Sequence, residues 1–276
     1  MDKLWDTWTG WAVIRKIADS GKKVKIVPLL NSEVPLEFGH RRAFAKSANG
    51  VDAAPAGAER YRGGVDDLAT EADERFRIVK GRGTGKGSDC EIHYSPEDYA
   101  VLPVCSKTVT KNCVPSFFTR DRGADDTLVH ELTHALRMLR GQFRAQPTRN
   151  KGHDNQEEFF AALVQNTYAS ERGKTVLTAG HHGGKLSQEM ATSAGFLGVG
   201  YPISLEQLEN RLLVSRFMHE DGDLCREFAT RVCATFNPVK EMLLNPHKYR
   251  YDPKVAAPKL TFQPGAFLPM RRGSTP

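Results

Sequence analysis

Apolar residues recur at the period of an α-helix in five parts of the chain. The pattern predicts helices at residues 11–20, 125–140, 155–171, 205–220 and 224–234. The helix at 125–140 is the best defined of them. Two aspartates open it and arginines close it ahead of a glycine, which suits the helix dipole at both ends. The C-terminal half of the chain is therefore expected to be mainly helical.

Shorter segments alternate apolar and polar residues, which is typical of half-buried strands. The sequence KVKIVPL after the first helix predicts one strand. Residues 76–79 and 90–94 predict two more, joined as a hairpin through the Gly-rich run GRGTGKG. Residues 39–64 have no sustained period and are expected to form a loop, and the chain from Pro246 is expected to be irregular. The prediction is an α+β fold with a small, mostly antiparallel sheet.

Composition narrows the class of protein. The chain has 276 residues, of which 39% are apolar and 26% charged, a balance typical of a folded globular domain. No apolar run is long enough to span a membrane, so no membrane span is expected. The start, Met1 to Trp5, lacks the apolar core of a secretory signal, so any export is expected to use a route without one.

Charge and cysteine usage exclude two further classes. The net charge of +6 is spread along the chain without a basic block, so we expect no nucleic-acid partner. The five cysteines are odd in number, and no two have C-x-x-C spacing. They are predicted to be reduced thiols and not a zinc ribbon or a redox centre.

The chemistry is concentrated in the helix at 125–140. It contains the H-E-x-x-H pattern His130-Glu131-Leu132-Thr133-His134. Two histidines four residues apart project from one face of a helix, which suits one tetrahedral zinc ion. The helix also carries an apolar stripe that would seat it in the core, formed by Leu128, Leu132, Ala135 and Leu139. The pattern predicts a metal site on one face and a packing surface on another.

A catalytic zinc ion needs three protein ligands and one open position. The extended motif H-E-x-x-H-x-x-G-x-x-H is excluded, because Arg137 and Arg140 stand where its glycine and third histidine would be. The helix at 155–171 supplies the best alternative, with Glu157 and Glu158 in its first turn. We expect one of these two carboxylates to bind the metal and the other to orient a ligand histidine.

The predicted reaction is hydrolysis, in which Glu131 takes a proton from a zinc-bound water that attacks a carbonyl carbon. His181 and His182 in AGHHGGK, and less favourably Tyr168, are candidates to stabilise the oxyanion. The strand ending in His93 and Tyr94 is a candidate edge for an extended substrate.

Four segments together resemble one family. They are IHYSPED at 92–98, LVHELTHAL at 128–136, NQEEFFAALVQNTYASE at 155–171 and HHG at 181–183. They are similar to the NleD-type zinc metallopeptidase effectors of bacteria. The resemblance implies a gluzincin-like enzyme that is cytoplasmic before export and then reaches a target cell through type III or type VI secretion. It also implies a protein substrate in that cell and leaves room for an immunity protein or a secretion chaperone.

The E-F-F-A segment also resembles the third-ligand helix of anthrax lethal factor. In that helix the glutamate directly before the two phenylalanines binds zinc, which favours Glu158 over Glu157 here. The sequence departs from this pattern at two positions, since Ala162 replaces a second glutamate and Lys151 replaces a tyrosine. A transition-state tyrosine is therefore not transferred to this chain.

These observations predict one α+β, zincin-like domain over residues 1–276. The metal-site core is expected at about 76–185, a helical part at about 200–245 and an irregular tail at 246–276. The expected activity is that of a zinc-dependent endopeptidase with one zinc ion per chain, bound by His130, His134 and Glu158. Two alternatives stay open, a zinc amidase acting on cell-wall peptides and a zinc-stabilised binding module without catalysis.

Overall fold

A computed structural model of the chain describes residues 2–28, 43–47, 83, 85–94, 123–144, 146–148, 152–180, 184–199 and 203–249. Among the helices in these residues, none combines the length and the apolarity needed to cross a membrane. Three cysteines fall in the described part, Cys90, Cys225 and Cys233, and all three are free thiols. Burial raises the pKa of the Cys90 thiol to about 12, so it stays protonated at neutral pH.

The described elements are three strands and a larger set of helices. The strands are β1 (Val24–Pro28), β2 (Ala43–Ser47) and β3 (Cys90–Tyr94). The helices are α1 (Asp2–Trp5), α2 (Trp8–Asp19), α3 (Ala124–Leu139), α4 (Gln156–Glu171), α5 (Ser193–Leu197), α6 (Leu205–Glu220), α7 (Gly222–Arg231), α8 (Pro238–Leu244) and α9 (Pro246–Tyr249).

The strands form one sheet in the order β1-β3-β2. β3 runs parallel to β1, with Val24 opposite Cys90, and antiparallel to β2, with Ala45 opposite Ile92. The expectation of a mostly antiparallel sheet is therefore wrong for the β1–β3 pair. Parallel neighbours need a long connection, and residues 29–89 lie between these two strands.

β3 joins the sheet to the helix that carries the H-E-x-x-H motif. Its side chains alternate as the sequence predicts, with Cys90, Ile92 and Tyr94 buried against the core. The Tyr94 hydroxyl donates to the carbonyl of Ala124 at the first residue of α3, at 2.7 Å. The expected hairpin with residues 76–79 is wrong at this strand, because β1 and β2 occupy both edges of β3. Residues 76–79 themselves lie outside the described part.

α3 lies in the middle of the core, with the sheet and α2 on one side and α4 on another. Thirteen of its sixteen residues are buried, including Val129 and Leu136 without exposed surface. α4 packs against it, and the Phe160 ring of α4 lies 4.5 Å from the guanidinium of Arg137 on the motif helix. The same ring stacks on Phe217 of α6 at 5.4 Å between centroids. The metal-motif helix is thus held rigidly, which is what a precisely placed set of ligands needs.

The Gly-rich run forms an unexpected contact. The backbone amides of Gly83 and Gly85 donate to the carbonyls of Phe143 and Gly141, at 2.6 and 2.9 Å, just beyond the end of α3. Gly87 approaches so closely that a Cβ atom there would lie 1.7 Å from the carbonyl oxygen of Leu139. The run thus pairs with the C-terminal end of the motif helix.

The end of α4 ties distant parts of the chain together. Asn166 exchanges hydrogen bonds with the backbone of Thr178, and Ser170 accepts from the amide of Phe236. The Glu171 carboxylate accepts from the amides of Trp8 and Thr9 and so caps the start of α2. The polar residues of the N-T-Y-x-S-E segment are therefore structural links between elements.

Two expectations about irregular segments are corrected. Within residues 39–64, expected to be a loop, Ala43–Ser47 forms the strand β2. The chain from Pro246 begins with a short helix, because the buried Tyr249 donates its hydroxyl to Glu241 at 2.8 Å. The rest of the expected tail lies outside the described part.

Candidate metal centre

Two neighbouring helices build the site. His130 and His134 lie one turn apart on α3, and α4 starts opposite them because Asn155 caps it. The side-chain oxygen of Asn155 accepts from the backbone amide of Glu158 at 3.0 Å, which fixes the first turn of α4. Glu158 is thereby presented to the two histidines.

The three side chains converge on one point. Nε2 of His130 lies 3.0 Å from Nε2 of His134 and 3.0 Å from Oε2 of Glu158. Nε2 of His134 lies 3.5 Å from Oε1 of Glu158. Ligand atoms around one tetrahedral zinc ion with bonds of about 2.0–2.1 Å are about 3.3 Å apart. His130, His134 and Glu158 therefore form a group able to bind a metal ion.

The choice of which ring nitrogen of His130 carries the hydrogen explains why this group suits a cation. Its Nδ1 lies 3.1 Å from Oε1 of Gln165, an amide oxygen that only accepts, so Nδ1 carries the proton. In the neutral ring Nε2 then presents a lone pair to a carboxylate oxygen and to another imidazole nitrogen. Such an arrangement calls for a shared cation, which can be a proton or a metal ion.

Glu157 and Glu158, left open by spacing alone, have different surroundings. Glu157 has no exposed surface, and both of its oxygens accept from Nε of Arg137, at 3.0 and 2.9 Å. Its Oε1 lies 3.6 Å from Nδ1 of His134, the nitrogen that points away from the ligand group. Glu158, with 19% of its side chain exposed, faces Nε2 of both histidines. The structure thus places Glu158 among the possible ligands and Glu157 behind His134.

The charges in the group shift one another's pKa values. Burial alone would lower the pKa of His134, but the carboxylates of Glu158, Glu157 and Glu131 outweigh it and raise that pKa well above its ordinary value. Burial alone would raise the pKa of Glu158, but His134 and His130 outweigh it and hold that pKa well below its ordinary value. Glu158 is therefore ionised, as a metal ligand must be.

Glu131 lies beside the group, on the same helix. It is almost fully buried, and burial raises its pKa above the ordinary value of a glutamate. The neighbouring histidines and the backbone amide of Ala45 on β2 act in the opposite direction. A carboxyl whose pKa is raised in this way is a stronger base than an ordinary glutamate, which suits a group that must accept a proton and return it.

The other expected site residues fall elsewhere. Tyr168 follows Glu158 by ten residues, about 15 Å along the helix axis. Its hydroxyl lies 3.2 Å from the carbonyl of Lys3 and 3.0 Å from Asp125. The expectation that Tyr168 assists as an oxyanion stabiliser is therefore corrected to a structural role. Burial raises its pKa, which keeps the hydroxyl protonated as a donor.

His181 and His182 lie outside the described residues, but the chain on either side is placed. Ala179 donates to the carbonyl of Gly184 at 2.8 Å, and a Cβ on Gly180 would lie 1.7 Å from the carbonyl oxygen of Gly152. Gly152 precedes α4. Gly180 therefore lies against the backbone of the chain just before α4, the helix that bears Glu158.

The suggested role of His93 and Tyr94 at a substrate edge does not hold. β3 is paired on both sides, and β2 is the strand whose backbone meets Glu131.

Two residues of the site were missed by sequence reasoning, Gln165 and Arg137. Gln165 follows Glu158 by seven residues on α4, and Arg137 follows His130 by seven on α3, so each shares a helix face with a possible ligand. That shared face is the signal that could have found them.

Comparison with known proteins gives no match. No family model, curated protein or solved structure matches the chain.

Proposed function

We propose that the protein is a zinc-dependent endopeptidase with a zincin-like fold. The observation that carries the proposal is the convergence of His130, His134 and Glu158, with the buried Glu131 on the same helix. A metal-binding group alone would suit a structural site as well. A carboxyl with a raised pKa next to that group is the additional part that a hydrolase needs.

In the proposed mechanism His130, His134 and Glu158 would hold the metal. Bound zinc supplies a Lewis acid that polarises a carbonyl and makes a water more acidic. Glu131 takes the proton of the attacking water and then delivers it to the leaving amine. Gln165 accepts the proton that His130 carries on Nδ1, so the Nε2 lone pair would face the metal.

The substrate and the route to it are further proposals. We propose that the enzyme cleaves a protein inside a target cell, as the resemblance to NleD-type effectors implies. Secretion by a type III or type VI apparatus belongs to the same proposal. An immunity protein or a secretion chaperone would then be its natural partner.

Glu131→Gln tests the proposal. This change keeps the size of the side chain but removes the base, so we expect zinc content to remain while peptide-bond hydrolysis falls by about 10²-fold or more. Zinc per chain and cleavage of a broad pool of denatured proteins and peptides are measured on wild type and variant.

Two outcomes would contradict the proposal of an endopeptidase. Turnover of purified peptidoglycan with no cleavage of the protein pool would favour the amidase. In a host-cell toxicity assay, equal toxicity of wild type and Glu131→Gln would favour a zinc-stabilised binding module, because such a module does not need the base.

A further inference from the structure

Arg137 is a charged residue buried without solvent contact. It follows His134 by three residues on α3 and has no exposed surface. Its Nη2 donates to the carbonyl of Gln142 at 2.7 Å and to Glu220 at 2.9 Å, and its Nη1 binds Asp221. A buried guanidinium costs several kcal/mol in desolvation unless such partners surround it. The fold has therefore placed acceptors on every side of this one cation.

Glu157 is the partner of Arg137 that faces the metal centre. Both oxygens of Glu157 accept from Nε of Arg137, and Oε2 also accepts from the backbone amide of Arg144 at 2.9 Å. These bonds fix the plane of the carboxylate. Its Oε1 then lies 3.6 Å from Nδ1 of His134, slightly beyond hydrogen-bond distance, on the side from which a carboxylate orients a metal-binding imidazole.

The other two acidic partners of Arg137 belong to the junction between α6 and α7. Glu220 ends α6, and Asp221, which has no exposed surface, separates it from α7. The same two carboxylates also bind Arg140 and Arg144. One connected set of charges therefore runs from the C-terminal helices through Arg137 and Glu157 to His134.

We propose that Arg137 is a positioning residue of the metal centre. It holds Glu157 behind Nδ1 of His134 and anchors that pair to Glu220 and Asp221 at the α6–α7 junction. The inference rests on the proposed function in one respect, that His134 is a zinc ligand. The inference goes beyond the proposed function because it makes zinc affinity depend on the C-terminal helices. These helices contribute no ligand to the group His130, His134 and Glu158.

The chain offers a matched pair of arginines for the test. Arg137 and Arg140 lie three residues apart on α3, and both bind Asp221, but Arg140 binds Asp223 where Arg137 binds Glu157. Arg137→Lys keeps the charge and removes the planar fork that reaches several carboxylates at once. Arg140→Lys makes the same change at a residue that shares Asp221 with Arg137 but does not bind Glu157, the carboxylate beside His134.

The readout is zinc affinity of the folded full-length protein, measured by competition with a chromophoric chelator after metal removal. We expect Arg137→Lys to raise the dissociation constant by about 10- to 100-fold, as loss of an outer partner of a metal ligand does. Arg140→Lys should stay within about twofold of wild type. The visible absorption spectrum of the cobalt(II) form should also change in Arg137→Lys alone, because it reports ligand geometry.

A wild-type dissociation constant and cobalt spectrum in Arg137→Lys would overturn the inference and leave the zinc site standing. Failure of wild type to bind zinc would instead remove the proposed function together with the inference. If Arg137→Lys does not fold, Glu157→Gln, which keeps the volume of the side chain, is titrated in its place. Loss of affinity there supports the inference, and an unchanged dissociation constant overturns it.

Discussion

Each ring nitrogen of His134 has a carboxylate near it. Glu158 lies 3.5 Å from Nε2 and Glu157 lies 3.6 Å from Nδ1. These negative charges favour the protonated ring and outweigh the effect of burial, so the pKa of His134 is raised well above its ordinary value. Protons and metal ions therefore compete for the same nitrogen.

This competition predicts a pH dependence for zinc binding. Because its pKa is raised, His134 in the metal-free protein keeps its extra proton to a higher pH than an ordinary imidazole does. Zinc must displace that proton, so binding should release about one proton per zinc, and affinity should fall as the pH is lowered. Glu158 is not the source, because its pKa is already lowered. Calorimetric titration in buffers of different ionisation enthalpy measures the release, and a zinc affinity that does not fall as the pH is lowered would contradict the account.

Local spacing predicted part of the site. The H-E-x-x-H pattern identified His130, Glu131 and His134, because four-residue spacing on a helix fixes which side chains share a face. The choice of Glu158 over Glu157 needed either the resemblance or the structure, since both lie in the first turn of α4. The sequence indicated Arg137 as a favourable charge at a helix end and as a departure from the extended motif, but not as part of the site, because its partners at 220 and 221 are distant in sequence.

The motif helix depends on a close backbone contact at its C-terminal end. Gly87 has a positive φ of 68° and lies against the carbonyl oxygen of Leu139, the last residue of α3. Gly21 has the same φ of 68°, but a Cβ there would meet nothing within 4 Å. A substitution at Gly21 therefore reports the cost of the left-handed backbone alone, whereas a substitution at Gly87 reports that cost together with the crowding against α3.

Replacement of each glycine by alanine tests this contact. Gly21→Ala should lower the free energy of unfolding by about 1–2 kcal/mol, the cost of a left-handed conformation in a residue with a side chain. Gly87→Ala should add about 1–3 kcal/mol more, because its Cβ displaces the backbone of α3. Chemical denaturation measures both. Equal losses in the two variants would show that the contact has no energetic importance.

Regular elements were predicted from their period, and irregular ones were not. The expected helices at 125–140, 155–171 and 205–220 match α3, α4 and α6 to within one residue at each end. β2 was missed because Ala-Phe-Ala-Lys-Ser has no β-branched residue, and its pairing with β3 decides its conformation. Asn237 and Pro238, a cap and a first-turn proline, were the available signal for α8.

The described parts of the molecule are joined around α3 and α4. Glu171 of α4 caps α2, and Arg231 of α7 lies over the rings of Trp8 and Trp11 at 4.8 and 5.7 Å. Arg137 connects the metal-motif helix to the α6–α7 junction. These links join the expected metal-site core, at about 76–185, to the expected helical part, at about 200–245. They favour the prediction of one cooperative domain.

That prediction is tested by unfolding. All three tryptophans lie in residues 5–11, so their fluorescence reports the N-terminal helices, whereas circular dichroism reports every helix. We expect the two thermal transitions to coincide and to move together when zinc is added. At a free zinc concentration 100 times the dissociation constant, the gain is about 2.7 kcal/mol. Two separate transitions, of which zinc moves only one, would contradict a single domain.

The central claim is a three-ligand zinc site, and zinc per chain tests it most directly. The purified wild type is compared with His134→Ala and Glu158→Ala, after circular dichroism has shown that all three are folded. The account predicts about one zinc ion per chain in the wild type and a loss of tight binding in both variants. Zinc retained in Glu158→Ala would contradict the assignment of the third ligand. A wild type that takes up no zinc, even after reconstitution, would contradict the proposal that the protein is a metallopeptidase.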